Sequence, residues 1–321
     1  MRFATIDDGT LDGRLHLVSR DNLLCAPSST ALTLQSALED WDTLEPALRA
    51  EYDALNAGKG SQFDPLRARA PLPRAWQWLD ASAYNSHGEL MQTAFNLAPI
   101  DTRGRPLMYQ GMSDRFHAPF ANVKLPSEQD GIDFEAEFGV ILGAVPMGAD
   151  AIEARARIRL VVQINDWSLR ALGAVEMKTG FGWINAKPAC SMAPVAVTPD
   201  ELGQYWRDCR VDLSLVVDWN GKRFGAANGY PMSVGFDGLI AHAAYSRDLA
   251  TGTVLGSGTV SNANFREVGS SCIAERRAIE TIDHGAASTD FMKFGDRVRM
   301  EATLPDGSPL FGPIDQQVVK A

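Results

Sequence analysis

Asp133-Phe134-Glu135-Ala136-Glu137-Phe138-Gly139-Val140-Ile141-Leu142 opens the stretch on which the reading of this chain turns, and Ile164-Asn165-Asp166-Trp167-Ser168 closes it. A β-strand sends residues i and i+2 to one face, so Glu135 and Glu137 share a side. Two carboxylates so close repel unless a cation or a shared proton lies between them. Residues 158–164 form a β-branched, apolar run with the signature of a buried strand, and Asp166 follows its end. Three carboxylates delivered by two strand ends are oxygen donors suited to a hard divalent cation. Taken without Asp166, the glutamate pair also fits a solvated strand face.

Upstream, residues 3–6 and 14–18 read as short strands separated by Asp8-Gly9 and Asp12-Gly13 turns. Leu32, Leu34, Leu38, Trp41, Leu44 and Leu48 keep a helical period over residues 31–56, with Ser29 or Thr30 offering a cap. The proline-rich stretch 65–73 marks a boundary, which divides the chain into a small N-terminal domain, residues 1–70, and a larger one, residues 71–321. The irregular, polar segment from Pro106 through Tyr109 to His117 has the character of a site loop. Downstream of the central stretch, residues 149–157 and 236–247 read as helices. Residues 211–219, followed by the hairpin pair Asn220-Gly221, and residues 296–301 read as strands. Strands outnumber helices and do not alternate regularly with them, which predicts a β-rich α+β fold with a mixed or antiparallel sheet.

The 321 residues, 45% hydrophobic and 22% charged, suit a soluble globular protein with a large core. A net charge of −10 argues against nucleic acid and anionic lipid as partners, because both need a basic surface. No run of about 18 apolar residues is present, so no membrane span is expected. The N-terminus lacks the apolar core of a signal peptide. Cys25, Cys190, Cys209 and Cys272 are far apart with no zinc spacing, as expected of reduced thiols in a cytoplasmic protein.

Four motifs in order resemble the fumarylacetoacetate hydrolase family: Asp133-Phe134-Glu135-Ala136-Glu137, Asn165-Asp166-Trp167-Ser168, Gly256-Ser257-Gly258-Thr259-Val260-Ser261 and Cys272-Ile273-Ala274-Glu275. The resemblance covers residues 70–320. It implies a mixed β-sandwich roll, a homodimer, a Mg²⁺, Mn²⁺ or Ca²⁺ ion, and hydrolysis of a carbon–carbon bond in a small diketo acid. Carried over residue by residue, it implies Glu135, Glu137, Asp166 and Asp114 as metal ligands, Lys187 beside the metal, Thr259 at the substrate and Glu275 positioning water. The family histidine seven residues after its upstream aspartate would fall on Ala121, with His117 the nearest histidine to Asp114. The positions of a substrate-binding glutamine and tyrosine are Gly173 and Met177 here.

These residues assemble a reaction. A metal would hold the carboxylate and neighbouring keto oxygen of a 1,3-diketo acid. Glu275, with His117, would take a proton from water, and Lys187 would stabilise negative charge on oxygen. Arg170 and Tyr109 are candidates for substrate binding. Each has a plainer reading: Asp114 as a turn residue, Lys187 as a loop cation, Glu275 as a surface ion-pair partner of Arg276, His117 as a loop histidine with no role. Cys190 and Cys272 read as packed thiols. The first expectation is a hydrolase of fumarylacetoacetate- or acylpyruvate-type acids in aromatic catabolism. A hydratase, decarboxylase or isomerase of 2-oxo acids on the same site is the second, and a non-catalytic metal-stabilised binding protein the third.

Overall fold

The computed structural model describes residues 1–321 apart from residues 97, 99 and 100. Two mixed sheets dominate it. The larger has eleven strands in the order Ser61–Gln62, Leu24–Pro27, Arg14–Val18, Arg2–Ile6, Ala196–Val197, Ile158–Asn165, Ala136–Leu142, Val254–Gly256, Trp78–Ala81 and Met108–Gly111, with Ser191–Met192 paired to Ile158–Asn165 off this path. Five strands form the other sheet, in the order Lys222–Asn228, Ser214–Trp219, Arg297–Glu301, Ile314–Lys320, Val123–Leu125. One neighbouring pair in each sheet is parallel: Val254–Gly256 with Trp78–Ala81, and Ile314–Lys320 with Val123–Leu125. The fold is α+β and β-rich, as the sequence predicts.

Every residue of Ala136–Leu142 is buried, and so is all but one of Ile158–Asn165. Their two faces serve different cores. Phe138, Val140 and Val161 pack with Leu215, Val217, Val298 and Met300 of the five-stranded sheet. Ile141, Leu160, Val162 and Ile164 face the other way, towards Phe3, Trp41, Leu48 and Tyr52 of the N-terminal segment. Burial on both faces explains why these strands read as continuous apolar runs rather than as alternation. The N-terminal strands also join the main sheet directly, Arg2 and Phe3 pairing with Val197 and Ala196.

The predicted helix over 31–56 is two helices, Leu34–Glu39 and Trp41–Asn56, and Thr33 caps the first through a reciprocal bond with Ser36. Ser29 and Thr30 are not free to cap, because their hydroxyls, with that of Ser28, bind the carboxylate of Glu51. The hairpin at Asn220-Gly221 forms as expected, both residues taking positive φ between Ser214–Trp219 and Lys222–Asn228. Among the described residues no helix is long and apolar enough to cross a membrane.

Candidate metal centre and reaction site

Four consecutive strands of the large sheet carry a buried carboxylate cluster, the floor of the site, at the base of a cavity of about 380 Å³ whose lining includes Asp80 and Glu135. Asp80 comes from Trp78–Ala81, Glu137 from Ala136–Leu142, and Asp166 follows Ile158–Asn165. A ligand oxygen from each lies within 4.8 Å of the others, and all three residues are buried. Val254–Gly256 runs between the strands of Glu137 and Asp80. Its last residue must be small, since a Cβ on Gly256 would stand 2.5 Å from Asp80 Oδ1 and 2.9 Å from Glu137 Oε2.

Burial raises the pKa of Asp80, and Asp166 adds to the effect. Burial also raises Glu137, with Asp80 the next cause. Both oxygens of Glu137 are buried without a hydrogen-bond partner. Orphaned carboxylate oxygens in an acidic cluster are costly unless something positive meets them. The donor set is all oxygen, so the residues fit a hard or borderline divalent cation.

Glu135 borders this trio. Its oxygens accept from Lys187 Nζ at 2.6 Å and from the hydroxyls of Ser168 and Thr259. Lys187 Nζ also reaches Asp166 Oδ2 at 2.5 Å, and Tyr109 donates its hydroxyl to the same oxygen at 2.7 Å. Burial opposes ionisation of Glu135, but Arg170 and Lys187 prevail and hold its carboxyl below the usual range. Burial likewise opposes the charge on Lys187, and Asp166 and Glu135 overcome it, so the ammonium is held charged. Arg170 donates to Asp133 Oδ2 at 2.8 Å, while Asp133 accepts from the backbone of Ile273 and Ala274. That one carboxylate fixes both Arg170 and the start of helix Ile273–His284.

Glu275 sits on the first turn of that helix, fully buried. It accepts from Ser261 at 3.1 Å and faces His87 Nδ1 at 3.1 Å. His87, not Glu275, lines the cavity. Cys190 donates its thiol to Asp166 Oδ1 at 2.9 Å, and Cys272 caps the helix by accepting from Glu275 N. Burial pushes both thiols up, Asp166 adding to it for Cys190 and Asp133 for Cys272, which keeps them protonated.

The structure thus brings together Glu135, Glu137, Asp166, Lys187, Thr259, Arg170, Tyr109 and Glu275. Two expected residues lie elsewhere. Asp114 is exposed on the loop after Met108–Gly111, outside the carboxylate cluster, and Asp80 takes its place. His117 is outside the cavity wall, tied into the backbone by its N–H to Cys190 O, and His87 is the histidine of the site. The expected aspartate–histidine spacing of seven is present after all, as Asp80 and His87. The roof is formed by the segment after Arg170. Gly173, Met177 and Trp183 line the cavity, and Trp183 Nε1 is buried without a partner. Glu176 fastens this segment by accepting the backbone N–H groups of Ile184, Asn185 and Ala186.

Residues 77–319 match the family model of the fumarylacetoacetate (FAA) hydrolase C-terminal domain, and residues 1–74 match that of the fumarylacetoacetase N-terminal domain 2. The chain belongs to the fumarylacetoacetate hydrolase family. A curated relative is the 2,4-didehydro-3-deoxy-L-rhamnonate hydrolase of Sphingomonas sp. (strain SKA58), 28% identical over 164 residues, which are 50% of this chain and 54% of that protein. The chain therefore matches about half the length of that relative. Maleylpyruvate hydrolase from Sphingobium sp. SYK-6, solved in complex with manganese(II) ion and pyruvate, superposes with a TM-score of 0.66 at 18% identity over 100% of both chains. The 5-carboxymethyl-2-hydroxymuconate delta-isomerase of Mycobacterium smegmatis superposes at 0.59 with 15% identity, over 100% of this chain and 99% of that one. At such identities the likeness is one of fold.

Proposed function

We propose that this chain is a cytoplasmic, homodimeric hydrolase that uses Mg²⁺ or Mn²⁺ to cleave a carbon–carbon bond in a small diketo acid of the acylpyruvate or fumarylacetoacetate type, in aromatic catabolism. The observation that carries this reading is that one cavity is lined both by Asp80, a member of a buried all-oxygen cluster, and by His87, a histidine backed by a buried carboxylate. The hydrolase names of two relatives and the manganese and pyruvate of one support it.

Asp80, Glu137 and Asp166 would hold the cation, with Glu135 alongside. When bound, the cation supplies Lewis acidity towards the oxygens of a 2-oxo acid. The chain's own groups do the rest. His87 bonds Glu275 through Nδ1, which leaves Nε2 as the acceptor for a proton from water. Glu275 orients the ring, a division of labour familiar from other histidine–carboxylate pairs. The charged Lys187 offers its N–H groups to oxygen on which negative charge develops. Tyr109 and Trp183 pack edge to face at 4.8 Å beside Lys187 and screen it from water. Arg170 on the cavity wall and the unpartnered Trp183 Nε1 are donors for the substrate's far end. Gly173 and Met177 leave that end an apolar space. Decarboxylation and isomerisation need no activated water, so the His87–Glu275 pair favours hydrolysis.

The test is loss of diketo-enol absorbance over a panel of acylpyruvates and fumarylacetoacetate-like acids, with Mg²⁺, with Mn²⁺ and with a chelator. Metal-dependent cleavage into two acids is expected. A cation that binds while no member of the panel is cleaved overturns the hydrolase reading.

A further inference from the structure

A second cluster in this molecule has a different chemical character from the floor. His87, Cys272 and Glu275 each offer one ligand atom, and the three atoms lie within 4.8 Å of one another. Imidazole nitrogen, thiol sulfur and carboxylate oxygen replace the three carboxylates of the floor. Thiolate and imidazole donors favour Zn²⁺ and similar ions over Mg²⁺, whereas an all-oxygen set does not. Three protein ligands with one position left open is the pattern of reactive zinc sites. Zinc bonds of the usual lengths put neighbouring ligand atoms about 3.5 Å apart. The observed spacing needs side-chain shifts on the order of 1 Å to reach this.

The cluster is also held in place and reachable. Cys272 and Glu275 stand on one helical turn, whose start is clamped by Asp133 through the N–H groups of Ile273 and Ala274. Cys272 is anchored from the other side by a β-bridge to Glu135. Both residues are fully buried, while His87 keeps 17% of its side chain exposed and lines the cavity, which gives an ion its way in.

We propose that His87, Cys272 and Glu275 form a second cation site, selective for thiophilic divalent ions with Zn²⁺ as the type, and that filling it switches the reaction off. On binding, the Cys272 thiol releases its proton to solvent as the sulfur–metal bond forms, and the ion stays divalent throughout. His87 Nδ1, the atom that faces Glu275, is then committed to the ion, so the ring keeps its proton on Nε2 and no longer accepts one from water there, or the ring is turned away from Glu275. Zinc at the second site and magnesium at the floor therefore have opposite effects on one cavity. The inhibitory consequence rests on the hydrolase reading; the binding does not.

Cobalt(II) added to the magnesium-loaded protein reports the site directly, because a thiolate ligand gives a charge-transfer absorption in the near ultraviolet. Cys190 beside Asp166 is the other thiol that could produce this band, so two variants are needed. The band is expected in the wild type, lost in Cys272→Ser and kept in Cys190→Ser. Serine retains the helix cap at 272. X-ray absorption of the zinc-loaded wild type should find one sulfur neighbour, and it decides the matter if Cys272→Ser does not fold. Zinc should inhibit the magnesium enzyme, and its half-inhibiting concentration should rise at least about tenfold in Cys272→Ser. Absence of the band in the wild type, its loss in Cys190→Ser alone, or a zinc shell without sulfur overturns the site. An enzyme inactive on the whole panel but with the expected band leaves the site standing and removes the hydrolase reading instead.

Discussion

Asp80, Glu137 and Asp166 rise from three strands of one sheet and are buried, whereas Met177, Phe181 and Trp183 come from short turns after Arg170, where Phe181 is 97% exposed. The floor is fixed by backbone pairing along whole strands: Glu137 is paired with Ile164, and Gly256 with both Gly139 and Asp80. The roof is held by one carboxylate, Glu176, and its neighbours Met177 and Ile184 show most of their surface. Rigid elements suit groups that must meet a cation or a transition state at set distances, and loosely held loops suit selection among substrates. Under the proposed function, the difference would give chemistry to the floor and preference to the roof.

The floor should break hardest. Glu137→Gln and Asp166→Asn are expected to lower cation affinity at least about 100-fold and activity at least about 10³-fold, read by calorimetry and the absorbance assay. Gly256→Ala should act in the same direction, since its methyl occupies the space between Asp80 and Glu137. The pKa of Asp80 and Glu137, raised first by burial, means that a cation must displace protons there, so affinity should climb as pH rises above the ordinary carboxylate range. An affinity that does not change with pH would show that the two carboxyls are already ionised.

His87→Gln and Glu275→Gln come next. Activity is expected to drop about 10²- to 10³-fold while cation affinity at the floor changes little. Equal loss of both would place the pair in metal binding at the floor rather than in proton transfer. At the roof, Trp183→Phe and Met177→Ala should shift KM for individual panel members by about 3- to 20-fold, in directions that depend on the acyl group. A uniform effect across the panel would deny the roof its selective role. Asp114→Ala and His117→Ala should leave kcat/KM within about twofold, since neither residue touches the cavity.

What the sequence made legible follows the same division. Glu137 and Asp166 are legible because a glutamate two residues from another on one strand, and an aspartate just past a β-branched apolar run, put carboxylates together where a cation would be needed. Thr259 and Glu275 are marked by motif order, and Lys187 by its place after a glycine-rich turn and the match to the family lysine. Asp80 was hidden because Trp78–Ala81 is a four-residue strand whose parallel partner, Val254–Gly256, lies far along the chain. Nothing local advertises such a pairing. The signal that points to it is the seven-residue step from Asp80 to His87, a spacing that Asp114 lacks. The strand Ile314–Lys320 is equally hard to read, its alternation blurred by the buried polar Gln316. Asp133 carried no hint of its clamp on Arg170 and the helix, because that role exists only once three distant segments meet.

The pairing of Arg2 and Phe3 with Val197 and Ala196 has a consequence for how the protein is made. A ribosome adding roughly 5–20 residues per second takes on the order of 10–40 s to travel from the first strand to its partner. During that interval the nascent hairpin Arg2–Ile6 with Arg14–Val18 presents an open edge to whatever else is emerging nearby. Yield in a cell should therefore depend on chaperone supply and translation speed more than the stability of the finished sheet would suggest.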